Sequence, residues 1–236
     1  MVIEGPKLLD AALGAGVWVE TVFLSPEASG DASVGEVVGR AVAQGARVFD
    51  LASGVMERIA GTVSPQPLAA VVRSTVAAID DLREASFVVV CVDVRDPGNA
   101  GAVIRVADAA GADGVVCCRG AVDPRNPKTV RASAGSVFHL PVVVSEEPLA
   151  ALGRLGEFGM RRIAAVAHGG APHTSAHLGG RVAVVFGNEA SGLPDTLSGL
   201  MDEAVTIELP GRAESLNVST AAAVLCFEVA RRRSTL

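Results

Sequence analysis

Three stretches of the chain hold side chains whose types and spacing could do chemistry. The first is "DVRDPGNAGAVIRVADAAGADGVV", residues 93–116. An apolar strand runs into a Pro/Gly turn that holds Asn99, and the helix after it carries Arg105, which looks buried amid Val, Ile and Ala. The turn makes a poor dinucleotide site. That fold needs G-x-G-x-x-G and an acid at the end of its second strand. Here Asn99 stands between Gly98 and Gly101, and the second strand ends "VVCCRG". Asn99 has the residue type of an N-cap that accepts from first-turn N–H groups. Arg105 lies two turns after Gly98, on a face with Gly101 and Ala102, whose small size leaves room beside the guanidinium for something bulky. An Arg105–Asp108 surface pair at i, i+3 fits the spacing equally well.

The second stretch is "RVAVVFGNEASGLPD", 181–195. A buried strand breaks into a polar loop at Gly187, and open α/β sheets place ligands at such strand ends. Glu189 could orient a donor group there, or simply cap the next turn. The third is "VTIELPGRAESLNVSTAAAVLCFEVARR", 205–232, a strand, a Pro-Gly turn and a long apolar helix. Ser215 or Asn217 can cap that helix and Leu216 can staple it. Its Ala-rich face could pack against another helix or a second subunit.

The elements that must position these residues follow from pattern. The chain has 236 residues and is 50% apolar, enough for a packed core in one large or two small domains. No apolar run reaches the ~18 residues of a membrane span, and "MVIEGPKLLD" is no secretory signal, so a cytoplasmic protein is expected, with no membrane partner. Residues 1–76 read as a small α/β unit, with Ser53 as a plausible N-cap for the helix in "SGVMERIAG". A polar linker is expected at 77–86. From 87 on, strands at about 87–94, 114–118, 141–144, 162–167, 181–186 and 203–208 alternate with helices at about 99–110, 127–134, 146–158 and 216–232. Near-continuous Val/Ala runs indicate a mostly parallel sheet buried on both faces.

Net charge is −6, with the positive part almost all guanidinium, since only Lys7 and Lys128 are lysines. Residues 119–131 gather Arg119, Arg125, Lys128 and Arg131 against Asp123 alone, a candidate RNA-facing patch. Arg231, Arg232 and Arg233 read as a helix-end surface. Cys91, Cys117, Cys118 and Cys226 form no C-x-x-C pair and read as buried thiols. His168, His173 and His177 fall in "HGGAPHTSAH", whose spacing suits a polar loop better than a metal site. No metal is expected.

Together the three stretches resemble the SpoU/TrmH family of RNA 2′-O-ribose methyltransferases, of the SPOUT class. Asn99, Gly101 and Arg105 match its Asn-x-Gly-x-x-x-Arg motif. Phe186, Gly187, Glu189, Gly192 and Leu193 match its second, and Ser215 to Ser219 its third, Ser-Leu-Asn-Val-Ser. "KTVRASAGSVFHLPV" and the N-terminal 75 residues are similar too, the latter to a small ribosomal-protein-like RNA-binding domain. Such members usually carry a basic helix before the first strand, and here "VIEG" comes almost at once. The resemblance therefore implies either that some RNA contacts are absent or that the true start lies upstream.

The resemblance implies an α/β fold: a C-terminal SPOUT domain over 87–236 with a deep trefoil knot, plus the small N-terminal domain. It implies S-adenosyl-L-methionine as methyl donor, in a pocket lined around Gly187, Ile207, Leu209, Ser215, Leu216 and Asn217. It implies an SN2 displacement at a sulfonium methyl by a ribose 2′-hydroxyl, with Arg105 catalytic and Asn99, Glu189 and Asn217 around it. Glu189 and Asn217 are expected to shape the pocket more than to do chemistry. A guanidinium remains protonated in proteins. Arg105 therefore either stabilises the developing alkoxide and grips the adjacent phosphate, or accepts the proton in a strongly perturbed site. It implies a homodimer with sites completed across the interface. The N-terminal domain favours ribosomal RNA of the large subunit over transfer RNA. A transfer-RNA enzyme, an antibiotic-resistance methyltransferase and a non-catalytic RNA-binding module of the same fold are the alternatives, beside an ordinary nucleotide-binding enzyme.

Overall fold

The computed structural model describes residues 1–59, 65–73 and 76–233, with Ser145 and Glu146 described by backbone alone. The described residues up to 73, together with 134–139, form one compact unit, and the rest from 76 on form the other.

The first unit strings together β1 (Val2–Glu4), α1 (Pro6–Gly14), β2 (Val19–Leu24), α2 (Ala32–Ala43), β3 (Arg47–Asp50), α3 (Met56–Ile59) and β4 (Leu68–Val72). Its four-stranded sheet has the order β1-β4-β2-β3, with β4 antiparallel to both neighbours. Pro6 opens α1, where its missing N–H costs no bond. Asp31 caps α2 by accepting from the N–H groups of Ser33 and Val34 at 2.9 and 3.3 Å. Leu8, Leu9, Ala12 and Leu13 of α1 and Val34, Val37 and Ala41 of α2 are buried. Ser53 is not the cap of α3. That helix starts at Met56, and its first bonds run back to the carbonyl of Val55.

The second unit comprises β5 (Phe87–Cys91), α4 (Pro97–Ala109), β6 (Gly114–Cys118), α5 (Pro127–Ala132), β7 (Val142–Glu146), α6 (Pro148–Glu157), β8 (Arg161–Ala165), β9 (Ala171–Pro172), β10 (Val182–Phe186), β11 (Glu203–Thr206) and α7 (Val218–Arg233). The sheet order is β7-β6-β5-β10-β8-β11-β9, and every pairing is parallel. Every residue of β5, β6 and β10 is buried, as a sheet covered on both faces requires. Val88, Val90, Val116 and Ala183 pack with Leu152 and Leu155 of α6. Their alternate neighbours face the layer of α4 and α7, which pack against each other. Among the described residues no helix is long and apolar enough to cross a membrane.

Two expectations change here. Residues 77–86 are not a linker. They contain a 3-10 turn, Ile79–Leu82, and Leu82 is 1% exposed in the core against Gly114, which has no side chain to exclude it. Part of the histidine-containing loop also forms β9, whose two residues pair with Val205 and Thr206. A strand this short leaves no periodicity to detect.

Candidate active site

Parallel register brings the carboxyl ends of distant strands together. Phe186 of β10 lies beside Cys91 of β5, and Ala165 of β8 lies beside Val205 of β11. The segments leaving β8, β10 and β11 therefore open at one end of the sheet. With the entry to α7 they enclose a cavity of about 510 Å³. Its lining includes Gly187, Glu189, Ile207, Leu209, Ser215 and Leu216.

Local chemistry shapes this lining. A Cβ on Gly187 would come within 2.4 Å of the Gly192 backbone, so only glycine lets the loop fold back on its strand. Asn188 and Gly192 then exchange both backbone hydrogen bonds, at 3.0 and 2.9 Å. Gly192 itself has φ 68°, a conformation natural to glycine.

Three motif residues meet beside the cavity; Glu189 alone of them lines it, and Asn217, expected in the lining, faces Asn99 instead. Asn217 caps α7, its Oδ1 accepting from the N–H of Ser219 at 2.8 Å and from its hydroxyl at 2.7 Å. That leaves the Asn217 Nδ2 to donate, and it does so to Oδ1 of Asn99 at 3.0 Å. The Asn99 Nδ2 in turn donates to Oε1 of Glu189 at 3.1 Å. Amide orientation is fixed from both ends, because Asn217 Oδ1 is occupied and a carboxylate only accepts. The loop after β10, the first turn of α4 and the start of α7 are thus joined by one chain of polar contacts.

Asn99 is not the N-cap of α4. Asp96 is, and its Oδ1 accepts from the N–H of Asn99 at 2.8 Å. The Asn99 side chain is thereby free to reach Glu189.

Arg105 is exposed rather than buried, and it makes no hydrogen bond or ion pair with another described residue. The surface pair with Asp108 does not form. Six residues of helix set Arg105 about 9 Å along the axis from Asn99 and about 120° around it. It does not line the cavity. Nor do the small residues beside it leave space. A Cβ on Gly101 would stand 2.4 Å from the Thr129 carbonyl and 2.5 Å from Ala132. The room is filled by the close approach of α5.

The basic stretch is less free than its composition implies. Arg119 pairs with Glu147 at 2.5 Å. Arg125 grips both oxygens of Asp123, at 2.7 to 3.1 Å. The Arg125 guanidinium holds the Asp123 carboxyl below its usual range. Lys128 is exposed, and Arg131 is half-buried and engaged. The three terminal arginines are ties rather than a bare surface. Arg231 and Arg232 pair with Glu228 at 2.6 and 2.8 Å, and Arg233 reaches the Gly111 carbonyl at 3.2 Å.

Of the pocket residues that the resemblance implied, the structure brings Gly187, Ile207, Leu209, Ser215 and Leu216 together around the cavity with Glu189, and leaves Asn217 outside the lining. The sequence reading missed Ala165 to His168 at the end of β8, and Val218, Ala221 and Leu225 of α7, which also line the cavity. Apart from His168, which stood out only as one of three clustered histidines, their types are those of ordinary core or loop residues, so nothing in the sequence marks them. All four cysteines are free and buried. The Cys117 thiol beside it and burial push the Cys91 thiol well up, and burial takes Cys226 to about 12.

Comparison with known proteins adds the following. The model of the SpoU rRNA Methylase family matches residues 86–227, and that of the MRM3-like substrate binding domain matches residues 1–70. The 23S rRNA (guanosine(2553)-2'-O)-methyltransferase RlmP of Bacillus subtilis is 32% identical over 96% of this chain and 87% of its own. An AdoMet-bound rRNA methyltransferase from Sinorhizobium meliloti superposes with a TM-score of 0.84 at 30% identity, covering 98% of this chain and 86% of that one. The AdoMet complex of the SpoU methyltransferase AviRb from Streptomyces viridochromogenes gives a TM-score of 0.86 at 25% identity, over 100% and 91% of the two chains.

Proposed function

Because the chain belongs to the SpoU rRNA methylase family, and is thereby an S-adenosylmethionine-dependent RNA 2′-O-ribose methyltransferase, we propose that it acts on large-subunit ribosomal RNA, with the cavity at the ends of β8, β10 and β11 as its donor site. The observation that carries the site is the chain from Asn217 through Asn99 to Glu189, which ties three separate segments at the cavity. The volume suits a small molecule, since such sites run from about 300 to 1,000 Å³. Leu209, Leu216, Val205 and Leu225 offer apolar faces, and the turn from Gly187 to Leu193 offers closely spaced backbone groups. Bound there, the donor supplies an electrophilic methyl group. The chain's own residues hold it, orient the RNA and ease loss of the hydroxyl proton.

Arg105 carries the last task. Its guanidinium stabilises the negative charge that the 2′-oxygen gains as its proton passes to water, and it holds the adjacent phosphate in its planar fork. Arg105 lies outside the lining of its own chain's cavity, which supports a homodimer in which Arg105 of the partner subunit completes the site. The exposed Phe227 on α7 (52%) supports α7 as part of that contact. Lys128, with Arg119, Arg125 and Arg131, receives RNA phosphates, which must compete with Glu147 and Asp123 for two of the arginines. The setting is the cytoplasm.

Calorimetry with S-adenosylmethionine, followed by methyl transfer to ribosomal and transfer RNA with mapping of 2′-O-methyl sites, tests this. Donor binding with transfer to ribosomal RNA alone is the expected result. Transfer only to transfer RNA overturns the substrate, and binding without transfer to either RNA leaves a non-catalytic module.

A further inference from the structure

Next to the Asn99–Glu189 contact is a second link between the same two loops, built from residues outside the three motifs' matched positions. Asp93 has φ 58°. For a residue with a Cβ this left-handed conformation carries a cost, which Asp and Asn bear better than most. Such strain persists where surrounding bonds enforce it, and here they do. Asn188 donates through Nδ2 to the Asp93 carbonyl at 3.1 Å and to its Oδ2 at 3.2 Å. The other carboxylate oxygen, Oδ1, accepts from Nε of Arg95 at 2.7 Å. On its far side, Asn188 Oδ1 accepts from the N–H groups of Ala190 and Ser191 at 2.9 and 3.2 Å. Every polar atom of the Asn188 side chain is therefore committed, one end to Asp93 and the other to the turn that lines the cavity.

We propose that Asp93 is a positioning residue for the donor cavity: through Asn188 it holds the 188–192 turn in its binding shape. Asp93 itself is not part of the lining, so it acts at one remove. The proposal rests on the assignment of that cavity to S-adenosylmethionine.

The test measures donor affinity by calorimetry, melting temperature, and the separate kcat and donor KM of four proteins. These are the unaltered chain, Asp93→Gly, Asn188→Asp, and the exchange that combines Asp93→Asn with Asn188→Asp. Glycine accepts positive φ freely, so Asp93→Gly removes the carboxylate arm of the latch without adding backbone strain, and keeps the main-chain carbonyl that Asn188 also reaches. Its donor affinity falls ~10-fold, with melting little changed and kcat at saturating donor preserved. Asn188→Asp sets two carboxylates face to face and weakens binding at least as much. In the exchanged pair, the Asn at 93 tolerates its conformation and donates to the Asp at 188, but the bond to the main-chain carbonyl of residue 93 is not restored, so binding recovers in part, by ~3-fold over Asn188→Asp alone. If the unaltered chain binds donor and Asp93→Gly binds it equally well, the latch is dismissed while the donor site stands. Failure of the exchange to rescue Asn188→Asp also overturns it, as does a loss of kcat in step with melting temperature. If the unaltered chain does not bind donor, the cavity assignment falls and the latch with it.

Discussion

At the scale of single residues, the site reads as a few side chains each held by a named neighbour. Arg105 is the exception, exposed and without a hydrogen-bond or ion-pair partner among the described residues. Arg105→Ala is therefore expected to fold as the original does and to lose methyl transfer, by ~10²-fold or more if the guanidinium stabilises developing charge. Arg105→Lys separates charge from geometry: near-normal rates would show that a point charge suffices and that the planar fork is unneeded. Asn99→Asp tests the polar chain. It replaces the Nδ2 donor with an oxygen aimed at Glu189, so donor binding or turnover is expected to fall ~10-fold or more, whereas Asn217→Ala lowers donor affinity ahead of turnover. Unchanged affinity with lost turnover in Asn217→Ala would give that side chain a part in the chemistry instead. The types and spacing of these residues were legible in the sequence, yet the roles of two were not. Asn99 looked like a cap because its type caps helices, but Asp96 stands one turn-start earlier and takes that role. Arg105 looked buried because its sequence neighbours are apolar, but helix geometry turns it outward while Val103 and Ile104 face the core.

At the scale of elements, strands and helices were legible because Val-rich runs and capped, glycine-ended helices are local signals. What escaped was tertiary use of those signals. Gly101 read as space for a guanidinium, and it is instead a point where α5 approaches α4 too closely to admit a side chain. Gly101→Ala is accordingly expected to destabilise the second unit by about 1–3 kcal/mol, read as a lower melting temperature, because backbone stands in the way of the new methyl group. The C-terminal end of α7 gives a pH-dependent counterpart. Arg231 first, then Arg232, hold Glu228 at about 2, against an ordinary 4.5. A carboxyl whose folded value is depressed adds stability above its unfolded value and loses that stability as pH falls through the folded one. The melting difference between the original chain and Glu228→Gln should be largest above pH ~4.5 and should vanish progressively towards pH ~2. A difference that stays constant over that window would mean the ion pairs add nothing.

At the scale of the whole molecule, the sequence could show that a parallel sheet exists but not its order. β10 inserts between β5 and β8, and β5 and β10 pair although their partner residues lie 95 positions apart, Phe87 with Val182. No local pattern encodes such a pairing; the recurring motifs signal it only through resemblance. The order has a functional consequence, because it gathers one cavity from segments leaving three strands and places Arg105 on a helix face outside it. The proposed arrangement, in which Arg105 of a second copy serves the cavity, can be tested without a structure of the dimer. Light scattering at micromolar concentration should first report two chains. Arg105→Ala keeps an intact cavity, while Gly187→Ala keeps Arg105 but forces a methyl group into the Gly192 backbone. Each alone should be nearly inactive. Mixed under conditions that exchange subunits, half the dimers carry one of each, and in those a single site combines an intact cavity with an intact Arg105. Activity should then recover to roughly a quarter of the original, as two-fold symmetry dictates. If the arginine serves its own chain's cavity, mixing restores nothing, and Arg105 must reach that cavity by a movement of α4.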